Sequence, residues 1–434
     1  MKLKLPRGLR DVEPEEYERI RYVNDNFMRV AEKFGFSFME PSTIEFFDIL
    51  ALKSGPQIRE EIYAFKDKGG RDVALRFDLT AGMTRYVVSN PQLPKPIKLA
   101  SLSVMWRYDE PQFGRYRSFY QWDVEIFGAD IEKAGGEVIC FSEELLRKLG
   151  LERLRTRISS RRVIEKILSK YVEGLDPIEA MRIIDKKEKR GVEGVKQMLL
   201  ERGGREENVE KLMEIVSISD RPQRSAERIG EVEEDLAGSD EFEELMRTVD
   251  WAQRLGVENM VLDLSVVRGI DYYDGVVFEV ESIDAPEVGS LVGGGAFNSL
   301  VEVFGGNFTA FGAAGGIERT LIALEKIGSF RGEGEAEGVF ITYTEEDMML
   351  EALGMVRKIR GAGIPVDYDL SGRRLEAQLK YAEKKGYRNV VIVGKREWSE
   401  GKVVLKDFTT GKQVEISPGE LIESLKNISR AREA

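Results

Sequence analysis

Residues 104–128, VMWRYDEPQFGRYRSFYQWDVEIFG, limit the possible folds more than any other stretch of this chain. Two runs, 96–106 and 119–127, approach the period-two alternation of half-buried strands. Between them lies Pro111-Gln112-Phe113-Gly114-Arg115, a loop of turn formers and cations. A hairpin is therefore predicted. Its second strand puts Gln121, Asp123 and Glu125 on one face, because side chains two apart point the same way. Arg107 stands at the end of the first strand. A cation set against a row of acceptors suits the floor of a ligand site; solvent-facing charges on an edge hairpin are the competing interpretation.

Composition narrows the chemistry. The chain has no histidine and one cysteine, Cys140. Cys/His structural zinc, His-based triads and a disulfide framework are thereby excluded. Catalysis must rest on carboxylates, arginines, lysines, a bound nucleotide or a divalent ion held by oxygens. A lone cysteine suits a reducing compartment. No apolar run nears the ~20 residues of a membrane span, and residues 1–16 lack the apolar core of a secretion signal. A cytoplasmic protein with no membrane partner is expected. The net charge of −12 argues against general coating of nucleic acid. The residues from Gly338 onward are nevertheless slightly basic, which permits local phosphate contact.

At 434 residues, two or three domains are expected. Apolar residues at helical spacing from Pro14 to Gly35 predict a long amphipathic helix. A strand-rich block follows to Phe127. The pattern is wholly helical and highly charged from Arg161 to Leu255, and strands resume at MVLDLSV and VVFEVESI. An antiparallel strand block interrupted by helices is an α+β body. It covers 1–160 and 256–328, with the helical insertion at 161–255. Residues 329–338, Gly/Glu-rich and aperiodic, form a linker. Residues 339–434 alternate strands and helices as βαβαβ, then add a hairpin turning at Thr410-Gly411, which predicts a separate α/β domain.

No P-loop motif is present. Gly312-Ala-Ala-Gly-Gly316 follows a strand and opens a helix, but its spacing and strand context do not fit a dinucleotide fold. Glycines there would let a flat ligand approach backbone at a helix N-terminus. Arg319, about one turn into that helix, could reach a phosphate or pair with a neighbouring carboxylate. Arg268-Gly-Ile-Asp-Tyr-Tyr273 adds a second cation suited to bidentate phosphate contact. Its adjacent tyrosines, if on a strand, point to opposite faces, so one at most would join the acceptor row.

These segments in this order resemble the class II aminoacyl-tRNA synthetases, and over nearly the full length the chain is similar to the histidyl-tRNA synthetase family. Residues 34–47, with Pro41, resemble motif 1, Arg107 to Glu125 motif 2, and Gly312 to Arg319 motif 3. Arg268 to Tyr273 resembles the histidine signature, and LRFDLT, with Arg76, Asp78 and Thr80, the segment that holds the substrate's amino group. The resemblance implies an antiparallel-sheet catalytic domain and a C-terminal anticodon-binding domain. It implies ATP and L-histidine as substrates, Mg²⁺ carried on ATP without a protein-borne metal site, tRNA(His) as partner, and a homodimer built on motif 1. Arg107 and Arg268 would grip the α-phosphate as the catalytic pair. Arg319 would take the γ-phosphate, with Asp109 and Gly316 also at the nucleotide. Asp78, Thr80 and Gln121 would order the ammonium group, Glu125 and Tyr273 the two imidazole nitrogens, with Tyr272 and Phe297 beside the ring. Arg115, Arg117, Arg373 and Arg374 would meet tRNA, as would the insertion through Lys186–Arg190. The chain departs from the family where Gly294-Gly295 is followed by Ala296-Phe297-Asn298 in place of Arg-Tyr-Asp. An idle relative that regulates ATP phosphoribosyltransferase is the alternative; such relatives lack the anticodon domain and tend to lose the arginines, which here all stand.

Overall fold

The computed structural model describes residues 3–54, 56–108, 110, 116–172, 175–267, 272–329 and 336–433. They fall into two compact units, Met1–Ser329 and Phe330–Ala434. The first unit is organised by a nine-stranded sheet. The predicted hairpin lies within it: Ile97–Trp106 pairs antiparallel with Ser118–Phe127. Outward from Ser118–Phe127 come Ala310–Gly316, Ser290–Ala296, Val276–Ser282 and Leu154–Ser160, each antiparallel to its neighbour. Parallel pairs stand nearer the edges, Ser37–Phe38 beside Ile97–Trp106 and Met260–Asp263 beside Leu154–Ser160.

Parity decides what each face of the hairpin does. Trp122, Val124 and Ile126 are buried, and Trp122 stacks on Phe27 of helix Pro14–Lys33 and meets Phe141 of helix Ile131–Lys148 edge-on. That face is core. The intervening Gln121, Asp123 and Glu125 are equally buried but face the other way. Helix Asp240–Arg254, the last of the insertion, packs on Ile131–Lys148 through glycines: a Cβ on Gly136 would fall 2.7 Å from the Trp251 Cβ.

The insertion is not wholly helical. Ser219–Asp220 forms a short strand against Met260–Asp263, and two residues are too few to show any periodicity. Lys187, from the basic run, is turned inward. Its Nζ donates to the Val216 carbonyl at 2.9 Å and pairs with Asp263 at 3.3 Å. Asp263 also takes Arg157 at 3.0 Å. Burial works against this carboxylate, yet Lys187, Ser265 and Arg157 hold it below its ordinary range.

The second unit is a five-stranded sheet in the order Val366–Tyr368, Ala336–Tyr343, Tyr387–Val393, Val403–Asp407, Gln413–Ile416, the first three parallel and the last two an added hairpin. Helices Met349–Gly361 and Leu375–Lys384 cover it, as does Pro418–Glu433, a C-terminal helix unforeseen in the sequence that buries Leu421 and Leu425. Among the described residues, no helix is long and apolar enough to cross a membrane.

Candidate active site

The sheet register builds the site. Glu125 lies opposite Gly312, which lies opposite Gly295; Asp123 lies opposite Ala314, then Gly293, then Glu279. Acceptors on one strand therefore face very small residues on the next two, and a cavity of about 370 Å³ stands over them. Asp78, Arg107, Gln121, Tyr272, Tyr273, Gly316 and Arg319 all line it. Thr80, Glu125 and Phe297 are buried behind that lining. Arg268 and Asp109 lie outside the described residues, as does Arg115.

Gly312 and Gly295 stand against side chains of the site. A Cβ at Gly312 would sit 2.6 Å from Glu125 Oε2, and one at Gly295 would sit 2.9 Å from the Tyr273 ring. They make room for the acceptor and the tyrosine. Gly316 is the open one, with nothing within 4 Å of its Cβ position, and it caps helix Ile317–Lys326. Arg319 lies in the first turn of that helix and donates from Nη1 to the Ser290 carbonyl at 3.1 Å.

Both tyrosines face the cavity, contrary to the alternation argument. Residues 272–275 are turn and coil ahead of strand Val276–Ser282, so the strand period does not apply to them. Their rings stand 5.0 Å apart, and the Tyr272 hydroxyl donates to Thr80 Oγ1 at 3.4 Å. Thr80 is the first residue of helix Thr80–Val88, and Asp78 sits just ahead of it, its Oδ1 accepting from Ala81 N at 3.2 Å. Phe297 is enclosed edge-on by Phe127 and Tyr272, an apolar wall behind the tyrosines.

A polar chain runs along the floor. Arg107 donates from Nε to the Phe77 carbonyl at 3.0 Å and from Nη2 to Gln121 Oε1 at 3.4 Å. Gln121 Nε2 donates to Asp123 Oδ1 at 2.8 Å, and Thr80 Oγ1 donates to Asp123 Oδ2 at 3.5 Å. Asp78 Oδ2 and Glu125 Oε2 are buried without a hydrogen-bond partner. Burial pushes Asp78 up, Asp123 up to about 7, and Glu125 well above its ordinary range, the last helped by Asp123. Arg76 does not neutralise them: its guanidinium is held by Glu40, Ser103 and the Pro41 carbonyl. Desolvated carboxylates with orphan oxygens demand a cation or strong donors, and Arg107 and Arg319 bring positive charge to the same cavity, where an anion would be attracted. The arrangement suits a zwitterion beside a polyanion.

Three acidic residues of the site received no role from the sequence. Asp123 stood in the row between two assigned residues. Glu279 faces the cavity from Val276–Ser282, and its signal was a charge between Phe278 and Val280, both buried in the core. Glu318 receives the Tyr120 N–H on both oxygens at 3.1 Å and Arg10 at 3.2 Å, and burial pushes it up to about 7. Among the described residues no group of three or more His, Cys, Asp or Glu is placed to hold a metal ion.

The remaining candidates lie apart. Arg117 is 7 % exposed, with its guanidinium over the Tyr108 ring at 3.8 Å and a bond to the Arg7 carbonyl. In the second unit Arg373 pairs with Asp369 at 2.9 Å and lies over the Tyr381 ring at 4.3 Å. Arg374 is exposed at the N-cap of Leu375–Lys384.

Known proteins share this sequence and shape. The family model described as Histidyl-tRNA synthetase matches residues 8–320, and that described as Anticodon binding domain matches 338–428. The histidine–tRNA ligase of Pyrococcus horikoshii is 37% identical over 97% of this chain and 98% of its own length. That of Methanocaldococcus jannaschii is 32% identical over 96% and 98%. Among solved structures, histidyl-tRNA synthetase from Nostoc sp. PCC 7120 superposes with a TM-score of 0.85 at 25% identity, over 98% of this chain and 99% of that one. An ATP phosphoribosyltransferase regulatory subunit/histidyl-tRNA synthetase from Bacillus halodurans shares the fold, with a TM-score of 0.76 at 23% identity over 91% of this chain and 99% of that one. The chain belongs to the histidyl-tRNA synthetase family and carries an anticodon-binding domain.

Proposed function

We propose that this protein ligates L-histidine to tRNA(His) through a histidyl-adenylate. One observation carries the reading: a single cavity joins Arg107 and Arg319 at a helix N-terminus with Asp78, Gln121 and Tyr273 over the buried Glu125. The histidine carboxylate attacks the α-phosphorus of ATP, and pyrophosphate leaves. That step needs alignment and charge neutralisation rather than proton transfer, which suits a protein without histidine. Arg107 and Arg268 would hold the α-phosphate and Arg319 the γ-phosphate, with Gly316 at the nucleotide; Mg²⁺ carried on ATP would supply further charge neutralisation. Charge-assisted bonds contribute about 1.5–3 kcal/mol each, so three arginines are on the scale of the ~8 kcal/mol at the low end of enzymatic acceleration. The terminal ribose hydroxyl of tRNA then attacks the activated carbonyl, AMP leaves, and a phosphate oxygen of the adenylate takes the proton.

Specificity rests on the buried acceptors. Asp78, Thr80 and Gln121 take the ammonium group, Glu125 accepts from Nδ1–H, and Tyr273 donates to Nε2. Tyr272 and Phe297 close the far side of the ring, where this chain has lost a tyrosine. Amino acids without both ring nitrogens leave buried groups unpaired, which supports discrimination of roughly 10⁴–10⁵ without editing. Residues 161–255 and the segment around Arg115 would meet the acceptor stem, while Arg117 is buried against Tyr108 and the Arg7 carbonyl. Arg373, Arg374 and the second unit would meet the anticodon arm. Homodimerisation through residues 34–47 is supported by Phe38, Ile44 and Phe46, all exposed. The protein is read as cytoplasmic. The retained Arg107 and Arg319 and the anticodon-binding domain favour a ligase over a regulatory subunit. ATP–pyrophosphate exchange across the amino acids tests the reading: histidine alone should support it, and exchange that ignores histidine would sink the assignment. Arg268→Ala should abolish exchange and leave the sedimentation coefficient unchanged.

A further inference from the structure

We propose that Asp123 is a positioning residue for amino-acid recognition, holding the Gln121 amide so that its carbonyl oxygen faces the cavity and receives the substrate's ammonium group. The inference rests on the histidine-activating reading above. Asp123 is 0% exposed, and its register partners are Ser101 and Ala314, both small, so packing alone would favour an apolar side chain there. A buried carboxylate costs folding energy unless something uses it. Its Oδ1 accepts from Gln121 Nε2 at 2.8 Å, while Gln121 Oε1 accepts from Arg107 at 3.4 Å. Both ends of the amide are thereby specified. Rotated by half a turn, the amide would set its oxygen against Asp123 and its N–H groups against Arg107 and an incoming ammonium. The groups bearing on Asp123 are Asp78 and Thr80 at the start of helix Thr80–Val88, Arg107 just past the end of the facing hairpin strand, and Gln121 and Glu125 on its own strand. Asp123 therefore acts through Gln121 and, by the Thr80 hydroxyl, through a second ammonium ligand.

The test is histidine-dependent ATP–pyrophosphate exchange with a small set of variants. Asp123→Ala should raise KM for histidine about 10- to 100-fold, the loss expected for one charge-assisted hydrogen bond. KM for ATP should stay unchanged and kcat should move only a few-fold. Gln121→Glu alone should weaken histidine binding, since it adds a carboxylate beside Asp123. In the Asp123→Ala background the same change should restore KM, because either oxygen of a carboxylate accepts. An unchanged KM for histidine, an equal rise in KM for ATP, or additive losses in the double variant would overturn the proposal. Should Asp123→Ala not fold, Asp123→Asn keeps an acceptor for the amide and should hold KM near the parent value. A tenfold or greater rise there, with an unchanged melting temperature, would equally overturn it. If the parent itself lacks histidine-dependent exchange, the functional reading has failed instead.

Discussion

In strand Tyr387–Val393 of the second unit, the buried side chains are Val390, Val391, Val393 and one amide, Asn389; in strand Ser118–Phe127 of the first, one buried face is Trp122, Val124 and Ile126 and the other is Gln121, Asp123 and Glu125. Both strands are interior. One is stabilised by apolar burial on both faces, as parallel sheets under helices are. The other gives up one face to groups whose desolvation opposes folding. The contrast separates residues that hold the fold from residues that wait for a ligand, and it can be attacked from either side.

The largest effect should come from Arg107→Ala. Removing a preorganised cation from the developing phosphate charge should lower kcat/KM for adenylation about 10²–10³-fold. Unfolding by urea should hardly change, because the guanidinium's bonds are to one carbonyl and one amide at the cavity wall. Val391→Ala should do the reverse: a loss of about 2 kcal/mol from a fully buried valine, with exchange kinetics intact. Activity surviving in the first variant would break the comparison.

A smaller but sharper effect lies within one strand. Gly312 and Gly315 sit on opposite faces of Ala310–Gly316. A Cβ at Gly312 would press on Glu125 Oε2 at 2.6 Å, and one at Gly315 would press on the Trp122 indole at 2.5 Å. Gly312→Ala should raise KM for histidine about tenfold, the scale of one displaced hydrogen bond. Gly315→Ala should cost roughly 1–3 kcal/mol of stability through overpacking and leave KM alone. Equal effects in both assays would mean that the two faces are not functionally distinct.

These contrasts also show what could be read from the chain beforehand. Period two exposed the hairpin and its acceptor row because one face must be uniform, and an acidic row is conspicuous where Val or Ile belongs. Period two misled at Tyr272-Tyr273, where backbone leaving the strand ladder turns both rings the same way. The glycines announced close approach but not what approaches, since the neighbour, Glu125 for Gly312, comes from another strand. Ser219–Asp220 is too short to carry a pattern. Lys187 looked like part of a basic run that would meet tRNA, yet its partner Asp263 lies far along the chain, and only folding brings that charge to it. The inward turn of Arg117 was hidden for the same reason: it is held by Tyr108 and by the Arg7 carbonyl.

The smallest effect is a difference in sign with pH. In the first unit burial pushes Asp123 and Glu318 up to about 7 from ordinary values of 3.8 and 4.5, and it raises Asp78 and Glu125 as well. Between those limits the folded chain holds protons that the unfolded chain has released. The stabilisation is complete below the ordinary carboxylate range and is lost as pH rises through about 7. In the second unit the shifts run the other way. A bond from Lys395 lowers Asp347; burial works upward on Asp407, but the Thr410 and Thr409 N–H groups and Arg388 prevail. Their stabilisation is present at neutral pH and lost only as pH falls below the ordinary carboxylate range. The melting temperature of the ligand-free protein should therefore fall by a few degrees from pH 5.5 to 8, and Asp123→Asn should flatten part of that slope. Saturating histidine should flatten it too, because an ammonium group favours the ionised carboxylates. Titration calorimetry in two buffers of different ionisation enthalpy should then show protons released on histidine binding at pH 6.5. A melting temperature that rises steadily over this range would show that the buried row is ionised without its ligand, and the distinction between the two sheets would lose its electrostatic half.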